Sequence, residues 1–229
     1  MNDDTPAGIG EEIRVGIVDD QELMRSALRM MVQSQPDLDL VGEGADGHEA
    51  LALVRSRRVD VVLMDIRMPR MDGIEATAII ARDHPRSRVL ALTTFDLDDY
   101  VFPALRAGAS GFLLKDARAE DVVAAIHTVY AGHGVVAPST TRRLIEHVAT
   151  SMPHGEDRAA AIRERLTPRE LDTLLELATG DSNAEIARRL HLSEATVKTH
   201  VGRVLTKLQL RDRVQAVVLA YETGVVRPR

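Results

Sequence analysis

The sequence predicts two units in tandem, an α/β unit built on a doubly wound parallel sheet and then a small all-α unit of four helices. Three observations carry this reading. Over the first 131 residues, short aliphatic runs alternate five times with amphipathic segments, the pattern of strands joined by crossover helices. From Leu166 onward strand-like runs cease and helix-capping signals recur. Charge divides near the same place: residues 1–161 carry 17 Lys+Arg against 26 Asp+Glu, a net −9, whereas residues 162–229 carry 12 against 9, a net +3. A chain of 229 residues is long enough for two such units, each burying its own core.

The strand-like runs are Ile13–Val18, Leu38–Val41, Val59–Met64, Val89–Leu92 and Gly111–Leu114. Helical patterns follow them at Glu22–Val32, Gly47–Arg55, Ile74–Arg82, Leu97–Ala107 and Arg118–Ala131. Right-handed crossovers favour an open doubly wound sheet, and residues 12–131 form the unit. GHGVVAP at 132–138 breaks the pattern. A further helix is expected over 139–149, followed by an exposed linker to 161 marked by Pro153 and Gly155. In residues 162–229, Thr167-Pro168-Arg169-Glu170 reads as a capping box with proline at the first helical position. Gly180 closes that helix, Ser182 to Glu185 is a second box, Ser193 caps a third helix and Asp212 begins a last one.

Composition removes several classes of function. With no Cys, disulfides, zinc-thiolate sites and thiol catalysis are excluded. No apolar stretch reaches the ~18 residues of a membrane span, and the acidic first dozen residues lack the layout of a secretion signal. A cytoplasmic protein without a membrane partner is the expectation.

The stretch VVLMDIRMPRMDG, residues 61–73, ends a wholly apolar strand in Asp65 and then turns through Pro69 and Asp72-Gly73. Asp65 therefore stands at the carboxyl edge of a central strand, where open α/β sheets place ligands. Asp19 and Asp20 end the first strand in the same way. In the flavodoxin-like order the two strands are neighbours, so three carboxylates crowd one edge. Their repulsion would raise at least one pKa, and a hard divalent cation such as Mg²⁺ relieves it. Taken singly, these acids read as helix caps and turn residues. Thr93 and Lys115 end two further strands and add a hydroxyl and an ammonium to the same edge. The set suits a phosphoryl group carried on a carboxylate, with a metal screening the incoming charge.

In order and spacing, VDD, MDIRMPRMDG, LTTF and GASGFLLKD resemble the receiver domain of bacterial two-component response regulators over residues 13–131. The resemblance implies that Asp65 is the phosphoacceptor for a histidine kinase. It also implies Asp19, Asp20, Asp65 and the Arg67 carbonyl as Mg²⁺ ligands, Thr93 and Lys115 as binders of phosphoryl oxygens, and Phe112 as the switch aromatic. Departures are Asp116, where many relatives have proline, and Arg70 and Thr94, at positions that are often small. Arg67 and Phe95 flank the path of a hydrolytic water.

In the basic part, Val197, Val201, Val204, Leu205 and Leu208 share one helical face, opposite Thr199, Gly202, Arg203 and Thr206. With the preceding helix Ala184–Leu190 and a turn at 191–193, this is a helix-turn-helix layout suited to a DNA major groove. The wording from Leu166 to Leu208 resembles the LuxR-type DNA-binding domain, a resemblance that extends across essentially residues 162–229, and joined to the receiver it resembles the NarL/FixJ family. That resemblance implies base contacts from Lys198 and Thr199, with Arg203 compensating for Gly202. It implies phosphate contacts from Thr196, Lys207 and the amide end of the Asn183 helix. It also implies a homodimer pairing through Val214, Val217, Val218 and Tyr221 on adjacent half-sites, which raises avidity. Two rivals stay open. A haloacid-dehalogenase-type phosphatase needs an acid where Arg67 stands, and a regulator that ignores phosphate would use the acids structurally or not at all.

Overall fold

The computed structural model describes residues 12–93, 97–132, 135–136 and 156–226. The α/β unit runs β1 (Ile13–Val18), α1 (Glu22–Gln33), β2 (Leu38–Gly44), α2 (Gly47–Ser56), β3 (Val61–Asp65), α3 (Gly73–Asp83), β4 (Arg88–Thr93), α4 (Leu97–Arg106), β5 (Gly111–Leu114) and α5 (Ala119–Tyr130). Strands pair in parallel in the order β2-β1-β3-β4-β5. Every residue of β3 is buried, as its unbroken apolar run requires of a central strand. The order reverses between β1 and β3, which opens the crevice beyond their carboxyl ends.

Two cores line the sheet. One face packs Val15, Ile17, Leu63 and Leu90 against α1 and α5 through Leu28, Val32, Ile126 and Val129. The other packs Val18, Val62 and Met64 against α2 and α3 through Ala50, Leu51, Ala76 and Ile80. Burying each large aliphatic side chain stabilises the fold by ~1.5–3 kcal/mol. The stretch read as a break adds a two-residue sixth strand, β6 (Val135–Val136), parallel to β5. The helix expected over 139–149 lies outside the described residues.

The helical unit begins earlier than the sequence suggests. Its helices are α6 (Glu156–Arg165), α7 (Pro168–Ala178), α8 (Asn183–Leu190), α9 (Glu194–Leu208) and α10 (Arg213–Glu222). Residues 156–161, read as exposed linker, belong instead to α6, whose Ala159 and Ile162 are buried in the helical core. Both capping boxes form, Thr167 with Glu170 and Ser182 with Glu185, and Ser193 and Asp212 cap α9 and α10 as expected.

The two units pack on each other. Core residues Val101, Phe102 and Leu105 of α4 join a cluster that continues through Leu174, Val204 and Val218. Along the seam, Arg211 donates to the carbonyls of Ser87 at 2.9 Å and Pro85 at 3.3 Å. Gln215 Nε2 donates to the carbonyls of Leu105 at 2.8 Å and Ala109 at 3.3 Å. Arg106 pairs with Glu222 at 2.9 Å, and Arg88 lies 3.9 Å from the buried Asp212 carboxylate.

Candidate functional site

The strands that should bring the acids together do so. Asp65 is the last residue of β3, Asp19 follows β1, Thr93 ends β4 and Lys115 follows β5. Carboxylate oxygens of Asp19, Asp20 and Asp65 all lie within 4.8 Å of one another. Lys115 Nζ bridges the cluster, 2.6 Å from Asp19 Oδ2 and 2.8 Å from Asp65 Oδ2. Asp19, Asp65 and Thr93 are buried, whereas Asp20 is exposed at the mouth.

Burial pushes the Asp65 carboxyl up from its ordinary range, and the nearby Asp19 charge adds to the push. The bond from Lys115 and its charge oppose both. Burial pulls the Lys115 ammonium down, but its bonds to Asp19 and Asp65 prevail and its pKa is raised. Two buried carboxylates thus share a single ammonium. These oxygen-only donors, one of them open to solvent, fit a hard cation such as Mg²⁺.

Local sequence sets this geometry. Gly73 is obligatory, because a Cβ there would stand 1.9 Å from the Asp65 carbonyl oxygen. Its N–H donates to the Ile66 carbonyl at 2.9 Å and draws the β3–α3 loop back under the pocket. Arg67 donates its N–H to Asp65 Oδ1 at 3.3 Å, and its guanidinium lies 5.8 Å from the centre of the Tyr100 ring on α4. Phe112 is 1% exposed and packed in the core, so it occupies an inward position here. The peptide after Lys115 is trans. Thr94 and Phe95 lie outside the described residues.

The β3–α3 loop carries one contact that no local sequence pattern marks. Arg70 adopts a left-handed backbone (φ 68°) and pairs with the buried Asp46, with Glu49 at 3.5 Å. The contact ties the β3–α3 loop to the start of α2. Residues 46 and 70 share no local pattern, so only the fold brings them together.

In the helical unit, α8, the turn at 191–193 and α9 form a helix-turn-helix, with His191 left-handed at the corner (φ 55°). Val197, Val204 and Leu208 are buried while Lys198, Thr199, Gly202, Arg203, Thr206 and Lys207 are exposed. The face expected to meet DNA is therefore open. Thr196 and Lys207, assigned to phosphates, and the side chain of Asn183, whose helix's amide end is so assigned, are engaged within the chain. Thr196 bonds Ser193 at 2.8 Å, Asn183 accepts from Arg213 at 3.3 Å, and Lys207 pairs with Glu170 at 2.6 Å. The bonds from Lys207 and from Thr167 hold the buried Glu170 carboxyl down at about 2. Val214, Val217, Val218 and Tyr221 are all buried, and the Tyr221 hydroxyl donates to the Ala178 carbonyl at 2.9 Å. They face the chain's own core in this conformation. Gln215 and Glu222, on another face of α10, are the residues held by α4.

Comparison with known proteins agrees with this anatomy. The family profile described as response regulator receiver domain matches residues 15–127, and that of bacterial regulatory proteins, luxR family, matches 164–220. The chain is similar to the uncharacterized transcriptional regulatory protein YxjL of Bacillus subtilis, 42% identical over 95% of this chain and 99% of that one. It is also similar to the response regulator protein VraR of Staphylococcus aureus, 39% identical over 94% and 99%. Among solved structures, the response regulator ChrA of a heme-sensing two-component system aligns with a TM-score of 0.52 and 33% identity, over 94% of this chain and 99% of that one. Two RcsB dimers bound to two parallel DNAs share the fold, with a TM-score of 0.55 and 21% identity over 94% of this chain and 100% of that one. The chain belongs to the NarL/FixJ family of two-component response regulators, a receiver domain joined to a LuxR-type DNA-binding domain, and is a transcription regulator rather than an enzyme in the ordinary sense.

Proposed function

We propose that Asp65 accepts a phosphoryl group from the phosphohistidine of a sensor kinase and that this event governs pairing and DNA reading by the helical unit. The single observation that carries the reading is Lys115 bridging Asp19 and Asp65, with Asp20 completing the acidic rim. An Asp65 oxygen attacks phosphorus, the P–O bond forms as the P–N bond breaks, and the imidazole leaves with its electron pair and takes a proton. Asp19, Asp20, Asp65 and the Arg67 carbonyl would hold Mg²⁺, which supplies charge screening for an anion approaching an anion. Lys115 shifts from two carboxylates to one carboxylate and a phosphoryl oxygen, and Thr93 donates to another. Phe112 senses the Thr93 displacement from the next strand, where Ala91 of β4 pairs with it. On α1, Leu23 (85% exposed), Ala27 and Met30 (67%) form an apolar face beside the pocket, which supports docking of the kinase.

Lys198, Thr199 and Arg203 would read base edges from the open face of α9, while the amide end of α8 contacts phosphates. Lys207 enters as a cation already neutralised by Glu170 and adds little to the salt dependence. Pairing through α10 requires α4 to withdraw, because α4 holds Gln215 and Glu222. The domain limits near 131 and 156, and a cytoplasmic setting, belong to the same reading. Incubation with acetyl phosphate and Mg²⁺ should add one phosphoryl mass, labile to base, to the wild type and none to Asp65→Asn. An unchanged mass in both proteins sinks the proposal.

A further inference from the structure

Gly202 is a glycine without an internal cause. It lies in the middle of α9, and among the described helices it is the only glycine beyond the first helical position. Glycine in a helix interior is less stable than alanine, so its presence calls for a reason. Elsewhere the chain supplies one: Leu53 fills the space over Gly42, and Met71 fills that over Gly47. A Cβ on Gly202 would meet nothing within 4 Å. No turn, packing contact or left-handed backbone demands it.

Its surroundings indicate what fills the space. Gly202 lies in an open groove of about 650 Å³ lined by Glu170, Thr199, Arg203, Thr206 and Lys207. The hydroxyls of Thr199 and Thr206 are turned back onto the helix, donating to the carbonyls of Ala195 and Gly202 at 2.9 Å. The centre of the face therefore offers carbon and low relief, with the cation Arg203 beside it. Polar bases gain little from such a spot. The thymine C5-methyl is the one apolar group that DNA presents in the major groove.

We propose that Gly202 is a specificity-determining notch that lets α9 seat closely against DNA and receives a thymine methyl. The inference rests on the DNA-reading role assigned to α9 above. The test begins by selecting binding sites from a random duplex library with the full-length protein, with and without acetyl phosphate and Mg²⁺. Wild type and Gly202→Ala are then compared on the selected sites, on unrelated DNA, and on selected sites with each thymine replaced by deoxyuridine. We expect Gly202→Ala to melt no lower than wild type and to lose less affinity for unrelated DNA than for the selected sites. It should lose about tenfold or more on the selected sites. One deoxyuridine replacement should weaken wild type and leave Gly202→Ala unaffected. The notch is overturned if Gly202→Ala binds the selected sites as wild type does, or if no deoxyuridine replacement changes wild-type affinity. If wild type selects no sequence under either condition, the DNA-reading role itself fails and the notch falls with it.

Discussion

Lys115 neutralises only one of the two buried acids it touches, so its loss should be costly. Lys115→Ala leaves Asp19 and Asp65 buried against each other, and we expect a destabilisation of ~3 kcal/mol in urea unfolding. Because a cation can replace the missing ammonium, Mg²⁺ should raise the melting temperature of Lys115→Ala more than that of wild type. An equal rise would show that the acids do not share the ion. Arg70 tests a different balance. Its left-handed backbone costs ~1 kcal/mol that glycine would not incur, while its pairing with Asp46 is exposed on the arginine side and of similar size. Arg70→Gly should then be nearly neutral in urea unfolding, and Arg70→Ala, which keeps the strain and loses the pair, should be less stable by ~1 kcal/mol. Asp19, Asp65, Thr93 and Lys115 were legible from sequence because each directly follows or ends an apolar run. Arg70 was not, since its partner lies in another βα loop.

Within the elements, α7 and α9 are joined by the Glu170–Lys207 pair, and this gives a pH signature. The folded carboxyl is held at about 2, below its ordinary 4.5. Its stabilising contribution is therefore complete above about pH 4.5 and disappears as pH falls toward 2. Lys207→Met should flatten the acid limb of the urea-unfolding midpoint plotted against pH and lower stability at neutral pH. A Lys207 variant therefore reports on folding as well as on DNA, so its binding should be compared at equal folded fraction. The β1–β5 strands were readable to within a few residues because a buried parallel strand needs an unbroken aliphatic run. Helix α6 was missed because EDRAAAIRER presents few apolar positions, and alanine declares neither a core nor a surface. The four caps in the helical unit were found at sight, since capping depends on residues three apart.

For the whole molecule, the polar part of the seam is made of side chains of α10 and its entry turn reaching mainly for main-chain carbonyls of the receiver. No sequence signal marks such acceptors, and nothing in the chain pattern announced that the units would touch. Truncating the donors should loosen the seam without unfolding either part. Arg211→Ala with Gln215→Ala should increase the radius of gyration in small-angle scattering while leaving helical content unchanged. The same variant should bind selected DNA more tightly without acetyl phosphate. Unaltered dimensions would mean that the buried apolar contacts of α4 hold the units together on their own.

Strand β4 carries Thr93 at one tip and Arg88, adjoining the Ser87 carbonyl grasped by Arg211, at the other. News of the anion therefore has, beside the short way through α4, a six-residue rod of roughly 20 Å along which to reach the Arg211 anchor. A protein laid out this way can be muffled in its middle, for instance by enlarging Ala91, while both its ear and its voice stay sound.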